Sequence, residues 1–235
     1  MFISFEGMNG SGKSTQTKLC AVWLSEYKPT IGRVVQTREP GGSPGAEEIR
    51  NLILQGEADR WSRETEVLLF TAARRDHVER VIRPMIDAGG VVVCDRYIDS
   101  TIVLQTLNDL DGALRTKIDN LHREMIGVDP DLTILIDISL ETVALRMSHR
   151  TGSDPDRMEK VAGMQQREYL AFQKLAEEFP DRIVKVSGEG SQAKEVRLRW
   201  QLEFGQLWVK NWELLNDPKA GASAGLSLFA IMVTI

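Results

Sequence analysis

Apolar and β-branched residues along the chain gather into five short runs, and the polar-rich stretches between them carry apolar positions three and four apart. Phe2–Glu6, Arg33–Thr37, Val91–Asp95, Leu132–Asp137 and Arg182–Val186 read as strands. The unbroken run Val91-Val92-Val93-Cys94 is what a strand covered on both faces needs. A helix is predicted from Lys13 to Tyr27, with Leu19, Val22 and Trp23 as its inward stripe. Ser43 before Pro44 marks the start of a helix that runs to about Gln55. A long helical pattern covers 62–87, with Val67, Leu68, Phe70 and Thr71 on its apolar side and Pro84 bending its end. Further helices are predicted from the turn after Asp95 through Gln105, over 113–126, after the cap Ser139, up to Glu178, and from Ser191 to about Leu215. Strands alternating with helices predict an α/β fold, a five-stranded parallel sheet with helices on both faces and ligands at the strands' carboxyl ends.

The boundary between the first strand and the first helix carries the strongest chemical signal. Gly7, Gly12, Lys13 and Ser14 complete the spacing G-x-x-x-x-G-K-[ST], with Met8, Asn9, Gly10 and Ser11 between them and Thr15 after. Glycines let backbone N–H groups curl around phosphate oxygens, the helix start adds positive potential, and the lysine reaches the outer phosphates. Ser14 would set its hydroxyl on Mg²⁺. This pattern in a strand-loop-helix context predicts a P-loop NTPase fold with ATP bound over residues 7–15.

A nucleotide loop does not say what is done with the nucleotide. Asp95 closes the third strand and, if that strand lies beside the first, reaches the metal's water shell; Asp137, closing the fourth, is its rival. Asp95 is favoured because Arg96 and Tyr97 follow it at once. Arg38, Arg74, Arg96, Arg150 and Arg157 fall on segments near the sheet's carboxyl edge, and guanidinium forks match phosphate oxygens. Together they imply a second phosphate, and hence a kinase whose acceptor is itself a phosphate. Such an acceptor is already ionised at neutral pH, so charge neutralisation rather than a general base carries the catalysis. The Gly/Pro-rich stretch 149–157 reads as a mobile lid, with Arg150 and Arg157 supplying charge. Phe70 and Arg74, four apart, share one helix face.

Composition narrows the field. The 235 residues suit one α/β core. A net charge of −5 gives no general attraction to nucleic acid, so anions must be held by a local basic cluster. Cys20 and Cys94 are too few and too far apart for a disulfide framework or a metal cluster. The start of the chain has no leader pattern, which makes the cytoplasm the expected compartment. Residues 1–215 are expected to form the kinase domain, 216–225 a linker, and 226–235 an apolar tail too short to span a bilayer. A GTP-dependent switch would carry Asn-Lys-x-Asp, and the chain has none.

Several blocks in order carry a resemblance. Phe5–Thr15, Thr37–Gly42, Leu69–Arg74, Asp95–Ser100 and Pro130–Thr133 make the chain similar to the bacterial thymidylate kinase family over about residues 1–212. The resemblance implies transfer of the ATP γ-phosphoryl group to dTMP with Mg²⁺, a lid that closes, and a homodimer. Carried over by position, Phe70 stacks on thymine and Arg38 and Arg96 grip the acceptor phosphate. Arg74, Thr101 and Gln105 lie by the base, Ser100 also faces the substrate, and Asp95 lies by the metal. Lys13, Arg96, Arg150 and Arg157 are then the catalytic cations. Two departures stand out: Asn9 replaces a carboxylate that meets the sugar 3′-hydroxyl, and Leu104 replaces an aromatic residue beside the sugar. They leave open a kinase with a broader range of deoxynucleoside monophosphate acceptors.

Overall fold

The structure, a computed structural model, describes residues 1–27, 33–57, 59–149, 164–190 and 196. The strands are β1 Phe2–Glu6, β2 Val34–Arg38, β3 Val91–Asp95, β4 Leu132–Asp137 and β5 Ile183–Ser187. The helices are α1 Lys13–Tyr27, α2 Pro44–Leu54, α3 Arg63–His77, α4 Arg83–Asp87, α5 Ile98–Thr106, α6 Ala113–Leu121, α7 Leu140–Ser148 and α8 Gln165–Glu178. The five strands form one parallel sheet in the order β2-β3-β1-β4-β5. β1 leaves towards β2 and β3 leaves towards β4, so a crevice opens between their carboxyl ends. Phe5 and Arg38 both lie level with Asp95 there.

Every residue of β1 is buried, as are Val91–Cys94 and Leu132–Ile136. Each such Val, Ile or Leu side chain contributes about 1.5–3 kcal/mol by leaving water. Polar residues pair within the sheet's surroundings at two places: the hydroxyls of Ser4 and Thr133 meet at 2.7 Å, and Asp99 takes both forks of Arg182 at 2.6 and 2.7 Å. Cys20 and Cys94 are buried and free.

Two expected stripes shift. On α1 the inward residues are Thr17, Cys20, Ala21 and Leu24, while Val22 is 45% exposed and Leu19 and Trp23 are half-buried. The small residues let α1 lie close to the sheet, and Thr17 satisfies its hydroxyl on Lys13 O at 2.8 Å. On α3, Leu68 points outward, whereas Arg74 and His77 join Val67 and Phe70 inside because a buried carboxylate awaits them. Ser43 begins α2 without a side-chain cap; its hydroxyl donates instead to Asp76 on α3 at 2.6 Å. Ahead of Pro84 the helix widens into a π turn, Val78–Ile82, in which Arg83 N–H reaches Val78 O, and then continues as α4. Widening the helix there keeps the preceding carbonyls off the proline ring. A second π turn, His122–Ile126, completes the helix expected over 113–126. Of the helix expected after Ser191 only Val196 is described, and it is buried. The lid stretch from Arg150 onward and the tail lie outside the described residues.

Candidate active site

At the end of β1 the chain turns so tightly against β4 that a Cβ on Gly7 would stand 2.7 Å from Ile136 O, and φ there is +138°. Only glycine fits that approach. Ser11 N–H closes the turn on Met8 O at 3.1 Å, and Gln16 N–H on Gly12 O begins α1. Met8 sits in the core, while Asn9, Gly10, Gly12, Lys13, Ser14 and Thr15 line a cleft of about 650 Å³. Lys13 is buried, and its ammonium lies 3.2 Å from Met8 O and 3.4 Å from Asn9 Oδ1. Burial, reinforced by the charge of Arg96, pushes its pKa down to about 8.

Across the crevice the β3–α5 turn supplies Arg96. Its backbone is left-handed, φ +68°, which for a residue with a side chain costs about 1–2 kcal/mol. One guanidinium nitrogen donates to Asn9 Oδ1 at 2.6 Å and the other to Ser100 Oγ at 2.7 Å. Asn9 Oδ1 therefore bridges the loop lysine and the arginine opposite. Arg38 also borders the cleft, with its charge shared with Glu47 at 2.9 and 3.0 Å.

Of the two strand-end aspartates, Asp137 accepts from Gln173 Nε2 at 2.9 Å, while Asp95 has a buried oxygen, Oδ1, without a hydrogen-bond partner. Asp95 and the exposed hydroxyl of Ser14 border the same cleft. A buried acceptor left open beside a hydroxyl fits Mg²⁺, which keeps most of its waters and needs few protein oxygens.

Farther in, Phe70 and Arg74 project side by side from α3. Arg74 is almost wholly buried and donates to Glu39 Oε2 at 2.7 Å and Thr101 Oγ1 at 2.8 Å. Its guanidinium lies 4.9 Å from the centre of the Tyr97 ring. Glu39 also accepts from His77 Nδ1 at 2.9 Å. With its charge balanced by Glu39, Arg74 is better suited to a neutral base than to the second phosphate that the arginine count ascribes to it. Gln105 is fully buried behind Leu104 and Thr101 on α5, and neither its amide nitrogen nor its amide oxygen has a partner. Ser100, Thr101 and Leu104 border the cleft as expected; Arg150 and Arg157 fall outside the described residues.

Three contributors escape sequence reasoning. Glu39 reads as part of a turn, because nothing in Arg-Glu-Pro-Gly-Gly announces a buried anion. Arg50 borders the cleft and donates to Pro40 O; its signal was its place on the α2 stripe of Ala46 and Ile53. Arg146, at the end of α7, donates to Gly10 O, Ser11 O, Gly188 O and Gly190 O, and no local pattern marks it.

The family model described as thymidylate kinase matches residues 5–198. A thymidylate kinase from Ruegeria pomeroyi is 51% identical over 189 residues, covering 80% of this chain and 87% of the relative. One from a Jannaschia species is 52% identical over 193 residues, covering 80% and 89%. The solved structure of thymidylate kinase from Ehrlichia chaffeensis superposes with a TM-score of 0.67 at 32% identity, covering 87% of this chain and 98% of that one. Glycine loop, facing arginine and the Phe70 side of the cleft thus occur in a sequence that belongs to the thymidylate kinase family.

Proposed function

We propose that the cleft performs the family's reaction, ATP + dTMP giving ADP + dTDP, with the donor phosphates on residues 7–15 and the acceptor phosphate on Arg96 and Arg38. The observation that carries this division of labour is the Asn9 bridge, which holds Lys13 and Arg96 on one amide oxygen from opposite sides of the crevice. Lys13 faces the γ-phosphoryl group and Arg96 the attacking oxygen's phosphate, so two anions meet between fixed cations. Mg²⁺, held through Ser14 and Asp95, would neutralise donor oxygens. No proton need be removed from the acceptor, and no general base is assigned. Phe70 offers a ring face to thymine and Arg74 and Thr101 offer hydrogen bonds to its edge, while Gln105, which the resemblance puts by the base, lies buried behind Thr101 and Leu104. Arg150 and Arg157 are assigned the closing charge of the lid.

The neutral amide of Asn9 and the aliphatic Leu104 border the place of the sugar, which favours testing acceptors rather than assuming one. A coupled ADP-release assay over dTMP, dUMP, dCMP and dGMP decides: dTMP should have the highest kcat/KM. Equal use of all four would replace this reading with a broad-range kinase, and ATP consumption without any acceptor product would overturn it. The chain is further assigned to the cytoplasm and to a homodimer, the latter testable by sedimentation. Among the described residues no helix is long and apolar enough to cross a membrane.

A further inference from the structure

Glu6 closes β1, immediately before the phosphate loop, and is 1% exposed. No nucleotide-binding role requires a carboxylate there. Its Oε1 accepts from Tyr97 N–H at 2.7 Å and Ser100 N–H at 3.3 Å, and its Oε2 accepts from the Ser100 hydroxyl at 2.5 Å. The donors are a pair of amides and a hydroxyl, none of them charged. Together they span the turn that begins at left-handed Arg96 and ends in the first turn of α5. Because the Ser100 hydrogen points to Glu6, the lone pairs of that oxygen face Arg96 Nη1, which donates to it. The opposite fork of the guanidinium rests on Asn9, three residues along from Glu6.

We propose that Glu6 is a positioning residue for acceptor binding: it orients the Ser100 hydroxyl and clamps the 97–100 turn, so that the Arg96 guanidinium is aimed before the acceptor phosphate arrives. A free arginine would have to be ordered by its ligand, at a cost to affinity. The strained backbone at Arg96 is tolerated because its neighbours are tied down from both sides. The charged groups around Glu6 fit this arrangement. Asp99, from α5, faces it with its own charge taken by Arg182, while Arg96, Lys13 and Arg74 approach from the β3–α5 turn, α1 and α3. Those cations are already engaged, on Asn9, the loop carbonyl and Glu39, which leaves Glu6 to act through neutral donors.

The inference rests on Arg96 holding the acceptor phosphate, and the test separates the two. In Glu6→Gln the amide NH₂ faces the Ser100 oxygen, so that oxygen can no longer donate to residue 6 and its hydrogen turns towards Arg96. In Ser100→Ala the link is absent. Each single variant should raise KM for dTMP about tenfold, the scale of one charge-assisted hydrogen bond, and move KM for ATP less than about twofold. The double variant should be no worse than either single one, which a purely structural role for Glu6 would not produce. Additive losses, an unchanged dTMP KM in Glu6→Gln, or parallel rises in both KM values would overturn the inference. Arg96→Ala serves as the reference. If it leaves dTMP KM unchanged, the Arg96 assignment itself fails; if it raises dTMP KM while Ser100→Ala does not, only the Glu6 inference falls. Should Glu6→Gln fail to fold, Ser100→Ala alone decides by the same criterion.

Discussion

Two buried side chains flanking the glycine loop have their pKa values pushed towards neutrality, from opposite directions. Lys13, with its pKa pushed down to about 8 by burial and by Arg96, sheds its proton from the free enzyme as pH rises through that value. The neutral amine cannot balance phosphate charge, so kcat/KM for ATP should fall above about pH 8. A profile flat to pH 10 would contradict this. Glu6 is pushed up to about 7, by burial first and by Asp99 second. The folded chain therefore holds a proton there between the usual 4.5 and about 7, where the unfolded chain has lost it. Stability contributed by this group is present below pH 4.5 and is lost as pH climbs to 7. Melting curves across pH 5 to 8 should slope less steeply in Glu6→Gln than in the parent chain, and identical slopes would refute the assignment.

At the scale of elements, strands were legible because their residues say nearly everything needed. Val91–Cys94 is apolar on both faces, and all four residues are buried. Helix faces were less legible, since periodicity scores apolar residues and α1 turns small polar ones inward. The glycine loop could be read in full, because spacing alone dictates it. Glu39 and Arg146 could not, because each gains its partners from segments remote in sequence: Glu39 from Arg74 and His77, and Arg146 from the carbonyls of Gly10 and Gly188. The turn after β2 gives a direct check of that packing. A Cβ on Gly42 would stand 2.4 Å from both His77 Nε2 and Thr37 Oγ1, with φ at +88°. Gly42→Ala must displace the histidine that steadies Glu39, and should cost about 2 kcal/mol or more in denaturant unfolding. An unaltered midpoint would show that the contact yields freely.

Across the whole molecule, the two sides of the crevice are joined through side chains rather than through the sheet alone. β1 delivers the glycine loop by its backbone and reaches Arg96 through Asn9 and, by way of Ser100, through Glu6. On the far side of the crevice α3 and α5 are tied together by Arg74 and Thr101. The resemblance in sequence, over about residues 1–212, contains the span 5–198 that the family model matches. What it could not supply was the wiring between these parts, since hydrogen bonds between remote residues leave no periodic trace.

Arg146 carries one such wire beyond the crevice. Its two forks tie the phosphate-binding turn to the exit of β5, so tightening one end should be felt at the other. Gly188 N–H, already bonded to Asp137 O at 2.7 Å, lies at that far end. Deuterium uptake there should slow when ATP is added and cease to respond in Arg146→Ala, making a backbone amide outside the nucleotide's reach a reporter of its arrival.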